Sequence, residues 1–133
     1  HFKEREVILK SAIMSFESEN YVAVIKTVLT EIEGVLSDAH KRSVGNGAKI
    51  KELLRFAIAQ GKVKAESDTS LYLPDAFDQY LTEYTFSNFD PEGDLSHAGS
   101  RHAVGHGAAD PESYTRIRAL QAILTLDQLA FYT

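Results

Sequence analysis

Apolar residues recur along this chain at intervals of three and four, the spacing that keeps one face of an α-helix turned inward. Val7, Ile8, Ala12, Ile13 and Phe16 follow that rhythm across residues 2–17. The polar break Ser18-Glu19-Asn20 comes next, and Ser18 or Asn20 is the expected N-cap of the second helix. Tyr21, Val24, Ile25, Val28, Leu29, Ile32, Val35, Leu36 and Ala39 then hold the period for about five turns, the strongest helical signal in the chain. Ser43-Val44-Gly45-Asn46-Gly47 ends it. Ile50, Leu53, Leu54, Ala57 and Ile58 mark a shorter helix that Gly61 is expected to stop.

After the polar residues 64–70, Pro74 fits a helix start, and Phe77, Tyr80, Leu81 and Tyr84 continue on one face, with Phe86 and Phe89 extending the aromatic cluster. Residues 90–100 read as loop. Pro111 is expected to open the last helix with Asp110 as its N-cap. Ile117, Leu120, Ile123, Leu124, Leu126, Leu129 and Ala130 give that helix a stripe broad enough for two neighbours. No segment alternates as a strand does, and no fixed repeat is visible. The pattern predicts an all-α fold, an antiparallel bundle of four to five helices.

Composition narrows the chemistry. A chain of 133 residues fits one domain, residues 1–133, that removes about two-thirds of its unfolded surface from water. It holds no cysteine, which excludes disulfides, thiolate zinc sites and a cysteine nucleophile and leaves His, Arg, carboxylates and hydroxyls. No apolar run approaches the roughly 20 residues that span a bilayer, and the first ten residues lack the layout of a signal peptide. The expected setting is the cytoplasm, away from membranes. Opening on His1 rather than methionine, the chain reads as a domain excised from a longer protein or one carrying a tag remnant.

The net charge of −5 is unevenly spread. Residues 40–64 carry seven Lys/Arg against one acid, whereas residues 65–133 carry three against eleven. This basic island argues for an anionic partner, RNA or a nucleotide, with Lys41, Arg42, Lys49 and Arg55 as the candidate substrate-binding residues. A solvated helix face with ordinary lysines explains the same island equally well.

Residues 100–110, SRHAVGHGAAD, concentrate polar chemistry that core packing does not need. His102 and His106, four apart, share a helix face in the manner of metal ligands, but Ala103 stands where a zinc hydrolase has its glutamate and the motif supplies no clear third ligand. No metal and no cofactor is therefore expected. Metal-free acid–base chemistry on a phosphodiester suits the residues better: arginine matches phosphate oxygens with a planar fork, and histidine takes or gives a proton near neutrality. RNA brings its own 2′-hydroxyl nucleophile. Arg101, His102 and His106 are the candidate catalytic residues.

Arg101 and His106 lie about 140° apart on an unbroken helix. Either Gly105 and Gly107 swing His106 toward Arg101, or a two-fold dimer brings two motifs into one cleft. The bland alternative has Arg101 capping a helix C-terminus and His106 bonding a carbonyl.

Arg101-His102-Ala103-Val104-Gly105-His106-Gly107 resembles the signature of the HEPN superfamily, an Arg followed by a polar residue, with four to six residues separating that Arg from a His. Residues 19–39, with Ile32-Glu33-Gly34, look like the second helix of HEPN domains similar to the abortive-infection C-terminal type. Residues 73–89 and 118–132 come after it in the matching order. The resemblance implies an all-helical bundle that dimerises with the motifs facing a shared cleft, and metal-independent endoribonuclease activity in phage defence or a toxin system, with an antitoxin or upstream domain as further partner. It implies that Arg101 holds the scissile phosphate, that His106 moves a proton and that His102 orients either. Glu33 is a weaker candidate, with a surface carboxylate as the simpler reading. Relatives that keep the fold for binding alone supply the alternative: a non-catalytic dimerisation or nucleotide-sensing module. The acidic flanks Asp90, Glu92, Asp94, Asp110 and Glu112 oppose RNA binding unless the basic island offsets them.

Overall fold

The structure, a computed structural model, describes residues 2–65, 74–87 and 100–132. Among these residues the fold is all-helical. Helix α1 (Phe2–Glu17) turns through Ser18-Glu19-Asn20 into α2 (Tyr21–Val44). Of the two expected caps Asn20 serves: the Ala23 N–H donates to its Oδ1 at 3.2 Å, while the Ser18 hydroxyl donates back to the Met14 carbonyl. Gly45, with φ of 87°, ends α2 in the left-handed conformation that favours glycine.

The longest helix is the centre of the fold. Val24, Ile25, Ile32, Val35 and Leu36 are wholly buried along it. β-Branched residues cost a helix up to ~0.7 kcal/mol each, whereas burying one of these side chains contributes about 1.5–3 kcal/mol, so packing outweighs propensity. Helix α1 is tied to α2 by Arg5, whose Nε donates to Asp38 at 3.0 Å and whose Nη1 pairs with Glu31. The Arg5 guanidinium lies against Gly34, where a Cβ would collide with it. Burial works against the charge on Arg5, but the two carboxylates outweigh it and raise its pKa above the ordinary arginine value.

Helix α3 (Ile50–Ala65) runs through Gly61 instead of stopping there. Gly61 is itself buried within the helix. The buried ring of His40 fixes the α2–α3 turn: its Nδ1–H donates to the Asn46 carbonyl at 3.0 Å and its ring meets Phe56 edge-on. Helix α4 (Pro74–Tyr80) starts at its proline as expected and continues as a π-helical stretch, Leu81–Thr85, that holds Leu81 and Thr85 in the core. Arg118 packs on the Tyr84 ring and hydrogen-bonds its hydroxyl, and the Tyr80 hydroxyl bonds Thr125, so this segment runs antiparallel to the last helix.

Two further expectations need correction. The expected four to five helices are six among the described residues, the addition being the short α5 (Arg101–Gly105), whose five residues are fewer than periodicity resolves. The last helix, α6 (Arg116–Tyr132), does not open at Pro111. Asp110 and Pro111 make a separate 3₁₀ turn, Pro111–Ser113, and Thr115 caps α6 by accepting from the Arg118 N–H. The loop expected at residues 90–100, with Phe89 and the carboxylates Asp90, Glu92 and Asp94, lies outside the described residues apart from Ser100. Among the described residues no helix is long and apolar enough to cross a membrane.

Candidate functional site

Five residues are too few to form a stable helix alone, so α5 depends on its neighbours. Ser100, buried, is its N-cap: the hydroxyl accepts from the Ala103 N–H at 3.3 Å and donates to the Ser87 carbonyl at 3.3 Å. That second bond fastens α5 to the end of the π-helical stretch. Ala103 and Val104 are buried in the core and dock α5 beside α2. With these two turned inward, Arg101, His102 and His106 remain for the surface.

Gly107 ends the helix. Its φ of 68° is left-handed, its N–H donates to Val104, and the Ala108 N–H reaches back to the Ala103 carbonyl at 2.8 Å. Gly105 keeps helical geometry, and a Cβ there would meet open space. The glycines therefore do not swing His106 onto Arg101. His106, whose N–H donates to the His102 carbonyl, lies against the His102 ring, with centroids 4.5 Å apart and planes 86° to each other.

Arg101 turns the other way, to α2, where its Nη2 pairs with the Glu33 carboxylate. This partner is not the helix C-terminus expected of a bland arginine. Both side chains are about one-third exposed, 33% and 37%. The Arg101 Nε is buried without a hydrogen-bond partner among the described residues, and burial lowers the pKa of the group from its ordinary value. Arginine starts so far above neutrality that the guanidinium keeps its charge. Glu33, the weaker candidate by sequence, is thus the contact that anchors the motif arginine.

The surface around that pair is a polar strip of α2. Lys26, Thr30, Glu33, Ser37 and Lys41 repeat at four, three, four and four, one helix face, with the lysines exposed at either end. Lys26 stands about 10 Å and Lys41 about 12 Å along the axis from Glu33. The Lys26 ammonium sits 6.0 Å over the Tyr114 ring. Burial raises the pKa of the Tyr114 hydroxyl.

The other basic candidates diverge. Arg42, nine residues after Glu33, projects from the opposite side of α2, roughly 180° away. Lys49 precedes α3 and Arg55 lies on its exposed side, both near the α2–α3 turn. Farther along α3 the island is engaged elsewhere: Lys62 pairs with Asp75 and Lys64 donates to the Phe131 carbonyl at 2.7 Å. Sequence reasoning missed Lys26, which lies outside the basic island, although its interval of seven from Glu33 put it on the same face. Among the described residues no three His, Asp or Glu side chains gather as metal ligands. No family model, curated protein or solved structure matches the chain, so the function must be argued from this geometry.

Proposed function

We propose that this chain is a metal-independent endoribonuclease of the HEPN type, with Arg101, His102 and His106 at its centre. The observation that carries the reading is the arrangement at α5: two imidazoles in edge contact, on the same short segment as an arginine whose outer end is held at the surface by Glu33. Cleavage of RNA by its own 2′-hydroxyl needs a base for that proton, positive charge for the phosphorane and an acid for the leaving 5′-oxygen. Histidine serves as base or acid, and arginine supplies charge and a fork that fits phosphate.

Two imidazoles in contact would face a phosphate from one side. His106, the more exposed, takes the 2′-hydroxyl proton, and His102 orients it. The 2′-oxygen forms its bond to phosphorus as the bond to the 5′-oxygen breaks, and that oxygen receives its proton from the histidine pair or from water. Lys26 and Lys41 extend the positive charge along the strip, where neighbouring phosphates of a single strand would lie.

A second reading is favoured by one contact. The Glu33 carboxylate occupies the guanidinium edge that a phosphate would take, which suits a non-catalytic nucleotide-binding module whose ligand displaces it. The deciding experiment incubates the protein and its His106→Ala variant with mixed single-stranded RNA in EDTA and looks for 2′,3′-cyclic phosphate ends. Cleavage by the parent alone supports the nuclease; cleavage by neither transfers the assignment to the binding module.

A further inference from the structure

Asn46 and Gly47 are both exposed in the turn between α2 and α3. Among the described residues the Asn46 side chain makes no hydrogen bond and the Gly47 N–H donates to no backbone carbonyl. The peptide that joins them is held through its oxygen: the buried His40 ring donates its Nδ1–H to the Asn46 carbonyl at 3.0 Å. The Lys41 side chain passes beside Gly47, its Cε 3.8 Å from where a Cβ would stand. Asn20, the other described asparagine, is engaged instead. Its Oδ1 accepts from the Ala23 N–H at 3.2 Å, and the N–H that follows it, of Tyr21, donates to the Glu19 carbonyl at 3.1 Å.

We infer that Asn46-Gly47 is a self-modifying site, at which the Gly47 nitrogen closes on the Asn46 side chain and expels ammonia. Loss of the Gly47 N–H proton to solvent hydroxide creates the nucleophile. The nitrogen then bonds to the Asn46 Cγ as the Cγ–Nδ2 bond breaks, and the amide nitrogen leaves as ammonia with a proton taken from water. Water opens the resulting succinimide at either carbonyl and leaves an aspartyl or isoaspartyl residue at position 46. No oxidant or reductant is needed. Glycine carries no Cβ to obstruct the ring closure. The negative charge of the deprotonated peptide spreads onto the Asn46 oxygen, to which the His40 N–H already points. Lys41 adds positive charge beside the same group. The product puts a carboxylate into the basic island, and the isoaspartyl form takes the His40 acceptor out of the main chain.

The inference does not rest on the nuclease reading, and its test contains no RNA. The full chain and a synthetic peptide of residues 43–49 are incubated at mildly alkaline pH. Conversion of amide to acid is followed by mass, located by peptide mapping and confirmed with an isoaspartyl methyltransferase. The folded chain is expected to convert at Asn46 faster than the peptide, with Asn20 unchanged over the same period. Gly47→Ala meets only ordinary contact from Lys41 and should slow conversion by an order of magnitude or more. His40→Gln should bring the rate down to that of the peptide, and Lys41→Gln should lower it about threefold. Circular dichroism checks that each variant is folded; if His40→Gln is not, Lys41→Gln and the peptide comparison decide. A folded chain slower than the peptide, conversion at Asn20 as fast as at Asn46, or any folded variant as fast as the parent overturns the proposal.

Discussion

Arg101 on α5 and Glu33 on α2 are joined across 68 residues of sequence, and their ion pair ties the motif to the central helix. An exposed pair contributes little, about 0.2–1 kcal/mol, and each of these side chains is a third exposed. Its importance is positional: the carboxylate sets where the guanidinium ends.

Glu33→Gln keeps the shape and removes the charge. Stability should fall by no more than about 1 kcal/mol, read from urea midpoints. Released from its carboxylate, Arg101 should bind a single-stranded oligonucleotide more tightly at low salt. If Glu33 also positions Arg101 for cleavage, the rate on bound RNA falls as affinity rises, a split that simple competition between carboxylate and phosphate does not produce.

The two glycines of the motif should respond with opposite signs. Gly105→Ala places a methyl in open space on helical backbone and should stabilise the fold by about 0.5–1 kcal/mol. Gly107→Ala also meets open space, but at φ of 68° it should cost about 1 kcal/mol. Thermal unfolding of the two variants side by side checks this; a shared sign would contradict a left-handed exit from α5 at Gly107.

Arg5 and Gly34 form a coupled pair. Gly34→Ala gains roughly 1 kcal/mol of helix propensity and displaces a guanidinium bonded to two carboxylates, a loss of similar size, so the net change should be small. In an Arg5→Ala background the obstacle is gone. There the same substitution should stabilise by the full ~1 kcal/mol, and the double-mutant cycle measures the difference.

Tyr114 gives the alkaline limb of the stability curve a specific origin. Burial raises its pKa in the folded state, so the folded protein holds the proton that the unfolded chain releases. The contribution is fully present below the unfolded value of about 10 and is lost as pH rises through the folded value. Tyr114→Phe should therefore flatten the decline in stability above about pH 10, measured by denaturant titration at successive pH values.

The long helices were legible because each satisfies its own pattern locally. Asn20 as a cap, Pro74 as a start and the nine-residue apolar run of α2 need no distant partner to be read. Helix α5 was not legible, since what makes it a helix is Ser100 bonded to Ser87, thirteen residues away, and Ala103 and Val104 packed into the core. The Glu33 contact escaped for the same reason: a carboxylate on a helix surface looks solvated until the fold brings an arginine to it. Periodicity gave α6 its breadth but not its covered half, because both faces of that helix are apolar.

The shortness of α5 sets a limit on how long the histidine pair exists. Its backbone has one cap, a single left-handed exit and two small residues in the core, far less than the burial that fixes α2. Segments held so lightly open by themselves, at a free energy below that of the whole molecule. Each such opening would separate His102 from His106 and release Arg101 while the rest of the fold stayed closed. The site would then have its own melting point, lower than the protein's.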